Sequence, residues 1–340
     1  MSYLRQLSLV TIGAAIMLIF EHVTLPYFSY SMIDKSMFES SKYSQSPRKS
    51  PKNIHSNARA SLGKTKVYRF NGSHIQQLPE FCTWTVHVDC VPLKTPSGET
   101  PIHIHDLAVD KWVSKELKYN GVWESNNIKL ILSELKKDPE LGFMDLGSHV
   151  GAFSLSVAKF GRKVVSVDPL IENVQRLCKS IQKGGFTDRM TIVFNPLGAD
   201  HSFVNFKPIS DNLGGTSVIA SSGSPSISPC DEPANSYTIT LDDTLPYLPF
   251  KKAVLKMDIQ EYEYYALTGA GRFFKEIEVP AILMEWVLMK SDINGKNLVD
   301  LLSNWNYSAY EPIIGGKKLD TNQFLSWPYD VLWKKDKLEQ

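Results

Sequence analysis

Residues 142–170 read GFMDLGSHVGAFSLSVAKFGRKVVSVDPL. Phe143-Met144-Asp145-Leu146 is a short apolar strand that runs into a turn at Gly147. From Phe153 to Phe160 the apolar residues return at helical spacing. Lys163-Val164-Val165-Ser166-Val167 is a β-branched strand ending on Asp168-Pro169. Strand, glycine turn, helix and strand in this order make a βαβ unit, the repeating piece of a parallel sheet.

The same alternation continues on both sides. Ser125 to Lys137 places Ile128, Ile131, Leu132 and Leu135 on one helical face. Ile171 to Gln182 is helical again and stops at Gly184-Gly185. Met190–Phe194, Val254–Met257 and Ala281–Met284 are further strands. The expected fold is a Rossmann-like α/β domain with a doubly wound, mostly parallel sheet. Between Ile209 and Asn235 a Ser/Gly/Pro-rich tract, with SSGSPSISPC at its centre, reads as a long lid-like loop.

In the turn Asp145-Leu146-Gly147-Ser148-His149-Val150-Gly151, glycines let backbone N–H groups approach a ligand at a helix N-terminus. The spacing is G-x-x-x-G, not the G-x-G-x-x-G of NAD-binding proteins. Asp168 lies about twenty positions on, at a strand's carboxyl end, where an acid accepts the hydroxyls of a ribose. A purely structural reading stands beside it: glycines for tight packing, and Asp168 as N-cap of the helix at Ile171. Turn and acid together favour a cofactor that carries a nucleoside.

These residues resemble the FkbM-type methyltransferases, whose pattern is D-[VL]-G-A-N-x-G, then E-P, then [LT]-L-D-D, then K-x-D-[VI]-E-G-x-E. The counterparts here are Asp145–Gly151, Asp168-Pro169, Thr240-Leu241-Asp242-Asp243, and Lys256-Met257-Asp258-Ile259-Gln260-Glu261-Tyr262-Glu263. A later strand ends on Glu285, as the family's often does. The resemblance runs from about Gly121 to Trp286 and implies a class I methyltransferase fold with S-adenosyl-L-methionine as methyl donor. It places Gly147, Ser148 and Gly151 near the methionine and ribose, with Asp145 holding the turn or receiving the amino group. Asp168 falls to the ribose hydroxyls, and Asp200 is a candidate for the adenine, or else an ordinary turn residue. Asp258 becomes a general base, or a ligand for a divalent cation (Mg or Mn) with Glu263 or Glu285. Lys256 pairs with Asp258 or lowers a hydroxyl pKa. The structural alternative is a Lys–Asp pair at a strand end, with Asp258 as a helix cap. Ser148 and His149 depart from the family's Ala-Asn, and Gln260-Glu261 from its Glu-Gly. If that Gly serves a left-handed backbone, Glu261 would force a changed turn.

The chain has 340 residues, of which 43% are hydrophobic, enough for one large core with an elaborated flank. A net charge of +1 gives no field to recruit nucleic acid. The four cysteines, Cys82, Cys90, Cys178 and Cys230, form no C-x-x-C pair, which argues against a zinc site of common spacing. Cys82 and Cys90 flank a β-rich run and are candidates to bridge in an oxidising compartment. His103 and His105 alternate on one face; they are packed residues on this reading, a metal pair on the other. The tryptophans Trp84, Trp112, Trp123, Trp286, Trp305 and Trp327 are expected mostly in the core.

Leu7 to Phe20 reads LSLVTIGAAIMLIF, without a charge. Extended to Leu25 it approaches the roughly 20 residues that span a bilayer. No small-x-small cleavage site follows, so a signal anchor is preferred to a signal peptide. Arg5 before the apolar run and Glu21 after it place the N-terminus in the cytoplasm. The expected layout is a cytoplasmic tail (1–6), a signal-anchor helix (7–25) and a polar stem (26–66). An N-terminal elaboration (67–120) and the methyltransferase domain (121–340) follow. Such a single-pass type II protein of the Golgi or endoplasmic reticulum, or its secreted alternative, puts the domain in the lumen. Asn71-Gly72-Ser73 and Asn306-Tyr307-Ser308 are glycosylation sequons that agree with it. The expected acceptor is the hydroxyl of a glycan sugar. The rivals are a lipid or other small molecule, and a non-catalytic binding protein.

Overall fold

The computed structural model describes residues 64–337 apart from 86, 211 and 221–234. All belong to the unit Arg59–Gln340. The expected tail and anchor, nearly all of the stem, Cys230 and the middle of the Ser/Gly/Pro tract lie outside the described residues. Among the described residues no helix is long and apolar enough to cross a membrane.

The chain opens with β1 (Lys66–Phe70) and β2 (Ile75–Gln77), then the hairpin β3 (Cys90–Thr95) and β4 (Gly98–His103). Helices α1 (Val113–Asn120) and α2 (Ser125–Leu135) lead into β5 (Gly142–Leu146). Next come α3 (Ala152–Lys159), β6 (Val164–Val167), α4 (Ile171–Gly184) and β7 (Met190–Val193). Three strands form a side sheet: β8 (Phe203–Ile209), β9 (Asn212–Ala220) and β10 (Asn235–Tyr237). The main sheet resumes through α5 (Leu241–Thr244), β11 (Lys252–Met257), α6 (Glu263–Thr268), α7 (Phe273–Glu276) and β12 (Glu278–Glu285). It closes with α8 (Ile293–Asn304), β13 (Tyr307–Tyr310) and β14 (Asp330–Lys335).

The nine-stranded sheet has the order β13-β14-β12-β11-β5-β6-β7-β1-β2. β11, β12, β5, β6, β7 and β1 pair in parallel, whereas β14 runs antiparallel to both of its neighbours. Its central strands are buried on both faces, as parallel strands covered by crossover helices must be. Successive residues point to opposite sides. Phe143 joins a core with Leu155 and Leu177, while Met144 joins another with Leu267 and Leu298. From β5 the chain winds one way to β6 and β7, then returns to β11 and β12 on the other side. The order reverses between β5 and β11, and in such sheets ligands bind there, outside the carboxyl ends of the strands.

In the segment expected as an N-terminal elaboration, β1 extends the main sheet in parallel beside β7. Two expectations change. The tract after Ile209 is not all loop, because Asn212–Ala220 is β9, paired antiparallel with β8. Cys82 bridges Cys178 of α4 rather than Cys90, with Cα atoms 5.3 Å apart, and Cys90 is free. A short turn at Phe81–Thr83 lies against α4, so fold proximity overrides the nearness of Cys82 and Cys90 in sequence.

Candidate active site

Gly147, His149 and Gly151 all have left-handed φ, at 82°, 49° and 92°. The N–H groups of Gly147 and Ser148 both donate to Val167 O at 3.0 Å, which ties the turn to the end of β6. A Cβ on Gly147 would stand 1.8 Å from Asp258 O, so only glycine lets the β5 turn close on the end of β11. A Cβ on Gly151 would meet Leu177 Cδ1 at 2.4 Å.

Asp145 is fully buried; its Oδ2 accepts from Ser154 N (3.0 Å) and Ser154 Oγ (2.6 Å), which anchors the first turn of α3. Burial pushes its pKa up. Asp168 is also buried. Its Oδ1 accepts from Leu170 N and Asn173 Nδ2, and its Oδ2 from His149 N at 2.7 Å. Burial raises its pKa to about 7 against the pull of those donors. It does not cap α4, whose N-cap is Leu170. Asp200 is an exposed turn residue that accepts from the Ser202 hydroxyl.

Across the switch point, Lys256 Nζ donates to Gly147 O at 2.8 Å and sits 3.3 Å from Asp258 Oδ2 and 3.9 Å from Asp145 Oδ1. Burial works against its charge, but Asp258, Asp145 and Glu124 hold its pKa above the usual lysine value. Asp258 follows β11 and is half-buried. Gln260 Nε2 donates to Asp258 Oδ1 at 2.8 Å and to Glu285 Oε2 at 3.2 Å. Tyr329 Oη donates to Glu285 Oε1 at 2.8 Å. Burial, then the charge of Asp258, pushes Glu285 up to about 9. Glu263 is buried and turned to its own loop: Oε1 accepts from Ile259 N at 2.8 Å, and burial raises its pKa to about 8. Among the described residues no three His, Cys, Asp or Glu side chains converge as a metal site.

Four buried polar atoms without a hydrogen-bond partner lie in or next to the turn: Asp145 Oδ1, Ser148 Oγ and both ring nitrogens of His149. Unpaired buried polar atoms are costly, and their concentration beside the glycine turn fits a site that binds a polar ligand.

Several participants were not singled out in the sequence. Tyr329 reaches Glu285 because β14 pairs Asp330 with Glu285. Asn173 of α4 hydrogen-bonds at 2.7 Å to His105, in the loop after β4. Glu124 and Asp330 share the Asn127 amide at 2.9 and 2.8 Å. No local pattern marks Tyr329, Asn173, Glu124, Asn127 or Asp330; only the fold assembles them. The two alternating histidines are packed side chains: His105 stacks on His149, with ring centres 5.4 Å apart, and burial lowers its pKa to about 3. His103 instead meets Ser180, and burial brings it to about 4.

Strand order, the single reversed strand beside β12, and the glycine turn at the switch point define a class I methyltransferase fold. The sequence model of the methyltransferase FkbM domain matches residues 145–308, the stretch that runs from the glycine turn to β13. No curated protein matches the sequence. Solved structures that resemble it include the precorrin-6y C5,15-methyltransferase of Geobacter metallireducens, 10% identical, covering 63% of this chain and 89% of that one with TM-score 0.34. A SAM-dependent O-methyltransferase of Thermotoga maritima is 10% identical, with coverages of 82% and 95% and TM-score 0.35. The Pyrococcus abyssi tRNA (uracil-54, C5)-methyltransferase, in complex with S-adenosyl-L-homocysteine, is 9% identical, with coverages of 74% and 44% and TM-score 0.35.

Proposed function

We propose that this protein is an O-methyltransferase that transfers a methyl group from S-adenosylmethionine to a sugar hydroxyl of a glycan, in the lumen of the secretory pathway. One observation carries the reading: the Asp258 carboxylate stands at the end of β11, and its own carbonyl packs on Gly147 of the cofactor turn. A base beside a methyl donor is what an acceptor hydroxyl requires. The bound cofactor supplies an electrophilic methyl group on a sulfonium.

Ser148 and the glycines hold the cofactor, and Asp168 offers its remaining lone pair on Oδ2 to a ribose hydroxyl. Asp258 takes the proton of the acceptor hydroxyl. Lys256 Nζ, 3.3 Å from Asp258 Oδ2, pairs with the base and helps to hold it in place. The lumenal assignment is supported by the Cys82–Cys178 bridge, since disulfides persist in oxidising compartments. It is also supported by the exposure of Asn71 in its sequon and by the apolar run before the stem.

A lipid or small apolar acceptor is the second reading. A groove of about 520 Å³ in the segment that connects β13 to β14 is lined by Pro312, Ile313, Leu319, Trp327 and Pro328, together with Glu311 and Asp320. Ile313, Ile314, Leu325 and Tyr329 are exposed in the same segment.

Calorimetry of S-adenosylmethionine binding to the full-length protein tests the cofactor site. Binding lost or weakened by roughly tenfold or more in Asp168→Ala supports it. A well-folded wild type that binds none moves the non-catalytic reading forward. Methyl transfer to glycan acceptors that is abolished by Asp258→Asn, with cofactor affinity kept, supports the role of the base. Transfer to lipids alone replaces the glycan.

A further inference from the structure

We propose that the Gln260 carboxamide takes the place of a divalent cation between Asp258 and Glu285, so that this site positions its base by an amide and works without a metal. The inference rests on the reading of Asp258 as the base, and it concerns how that base is held.

The donor set is the first argument. A hard cation at this strand end would need carboxylate oxygens from Asp258 and Glu285. All four of those oxygens already have a protein donor or cation. Gln260 Nε2 serves Asp258 Oδ1 and Glu285 Oε2, while Lys256 Nζ lies beside Asp258 Oδ2 and Tyr329 Oη serves Glu285 Oε1. An amide nitrogen has two hydrogens, one for each carboxyl group. Turned over, the amide would set its oxygen against the Asp258 carboxylate. A glutamate at this position, as in the family pattern, would add a third carboxylate where the amide now donates.

The backbone is the second argument. Gln260 and Glu261 have φ of 55° and 72°, two left-handed non-glycine residues in succession. Such a conformation is unfavourable for a residue with a β-carbon and persists where surrounding contacts over-determine it. Ile259 N on Glu263, together with the two bonds of Gln260, supplies those contacts. The edge repeats the device: the Asn127 amide joins Glu124 to Asp330. Carboxyl groups along this rim are paired by neutral amide donors.

The test is the part of Mn²⁺ binding that depends on Asp258, measured by calorimetry on the full-length wild type, Asp258→Asn, Gln260→Glu and the double variant. The wild type and Asp258→Asn should bind Mn²⁺ equally weakly. Gln260→Glu should bind roughly tenfold tighter or more, because affinity follows ligand charge, and the gain should vanish in the double variant. Wild-type binding that Asp258→Asn weakens overturns the proposal, whether or not Gln260→Glu folds. So does a folded Gln260→Glu that gains nothing. Methyl transfer by the wild type should be unchanged by EDTA, whereas Gln260→Glu should become responsive to Mn²⁺, a gain that a merely structural role would not produce. Loss of the base reading would show separately, as transfer that survives Asp258→Asn.

Discussion

Glu261 is exposed and left-handed, with φ of 72°. The turn is kept where the family pattern has glycine, although a β-carbon makes that conformation unfavourable. The expected outcome of Glu261→Gly is therefore a stability gain of about 0.5–1 kcal/mol, the relief of strain less the added freedom of the unfolded chain. Urea unfolding of the two proteins measures it, and a loss of stability would show that the Glu261 side chain does more than occupy the turn. Gly147 is the opposite case. There the close approach of Asp258 O leaves no room for any side chain, so conformation and packing both demand glycine.

At the scale of elements, each motif in the sequence sits at the joint between a strand and a helix. Thr240 caps α5 through a capping box with Asp243, and Asp242 Oδ1 accepts from Phe273 N at 2.7 Å at the start of α7. This third motif holds helices rather than ligands. Glu263 braces the loop between β11 and α6 from inside the core. Its pKa is raised to about 8, above the ordinary value of 4.5 in the unfolded chain. The native state therefore holds a proton that the unfolded state releases. The stability contributed by Glu263 is full below pH 4.5 and is lost as pH rises through 8. Glu263→Gln should flatten the fall in stability over that window, as read by chemical unfolding at several pH values. Equal pH slopes in the variant and the wild type would assign the proton elsewhere.

For the whole molecule, the Cys82–Cys178 bridge spans 96 residues and fastens the N-terminal segment to α4. That helix carries Asn173, which orients both Asp168 and His105. Closing so long a loop restricts the unfolded chain, and the double variant Cys82→Ser/Cys178→Ser should lose about 2–4 kcal/mol. Unfolding in the absence of reductant measures the loss. Unchanged stability would mean that the packing of α4 alone holds the segment. A reducing environment would loosen the helix whose Asn173 holds Asp168.

Sequence alone was enough for the doubly wound sheet, the glycine turn, and the strand ends at Asp168, Asp258 and Glu285. These are local properties: apolar period, turn chemistry, and an acid following a strand appear within a few neighbouring residues. The tertiary structure decided what depends on distant pairing. It set Tyr329 on Glu285 through the register of β14, joined Cys82 to Cys178, and brought β1 into the main sheet beside β7. It also turned the departure at Gln260 into a bridge between two acids. Strand register and helix packing are settled by burying two large cores at once, on either side of one sheet, and no short stretch of sequence carries that information.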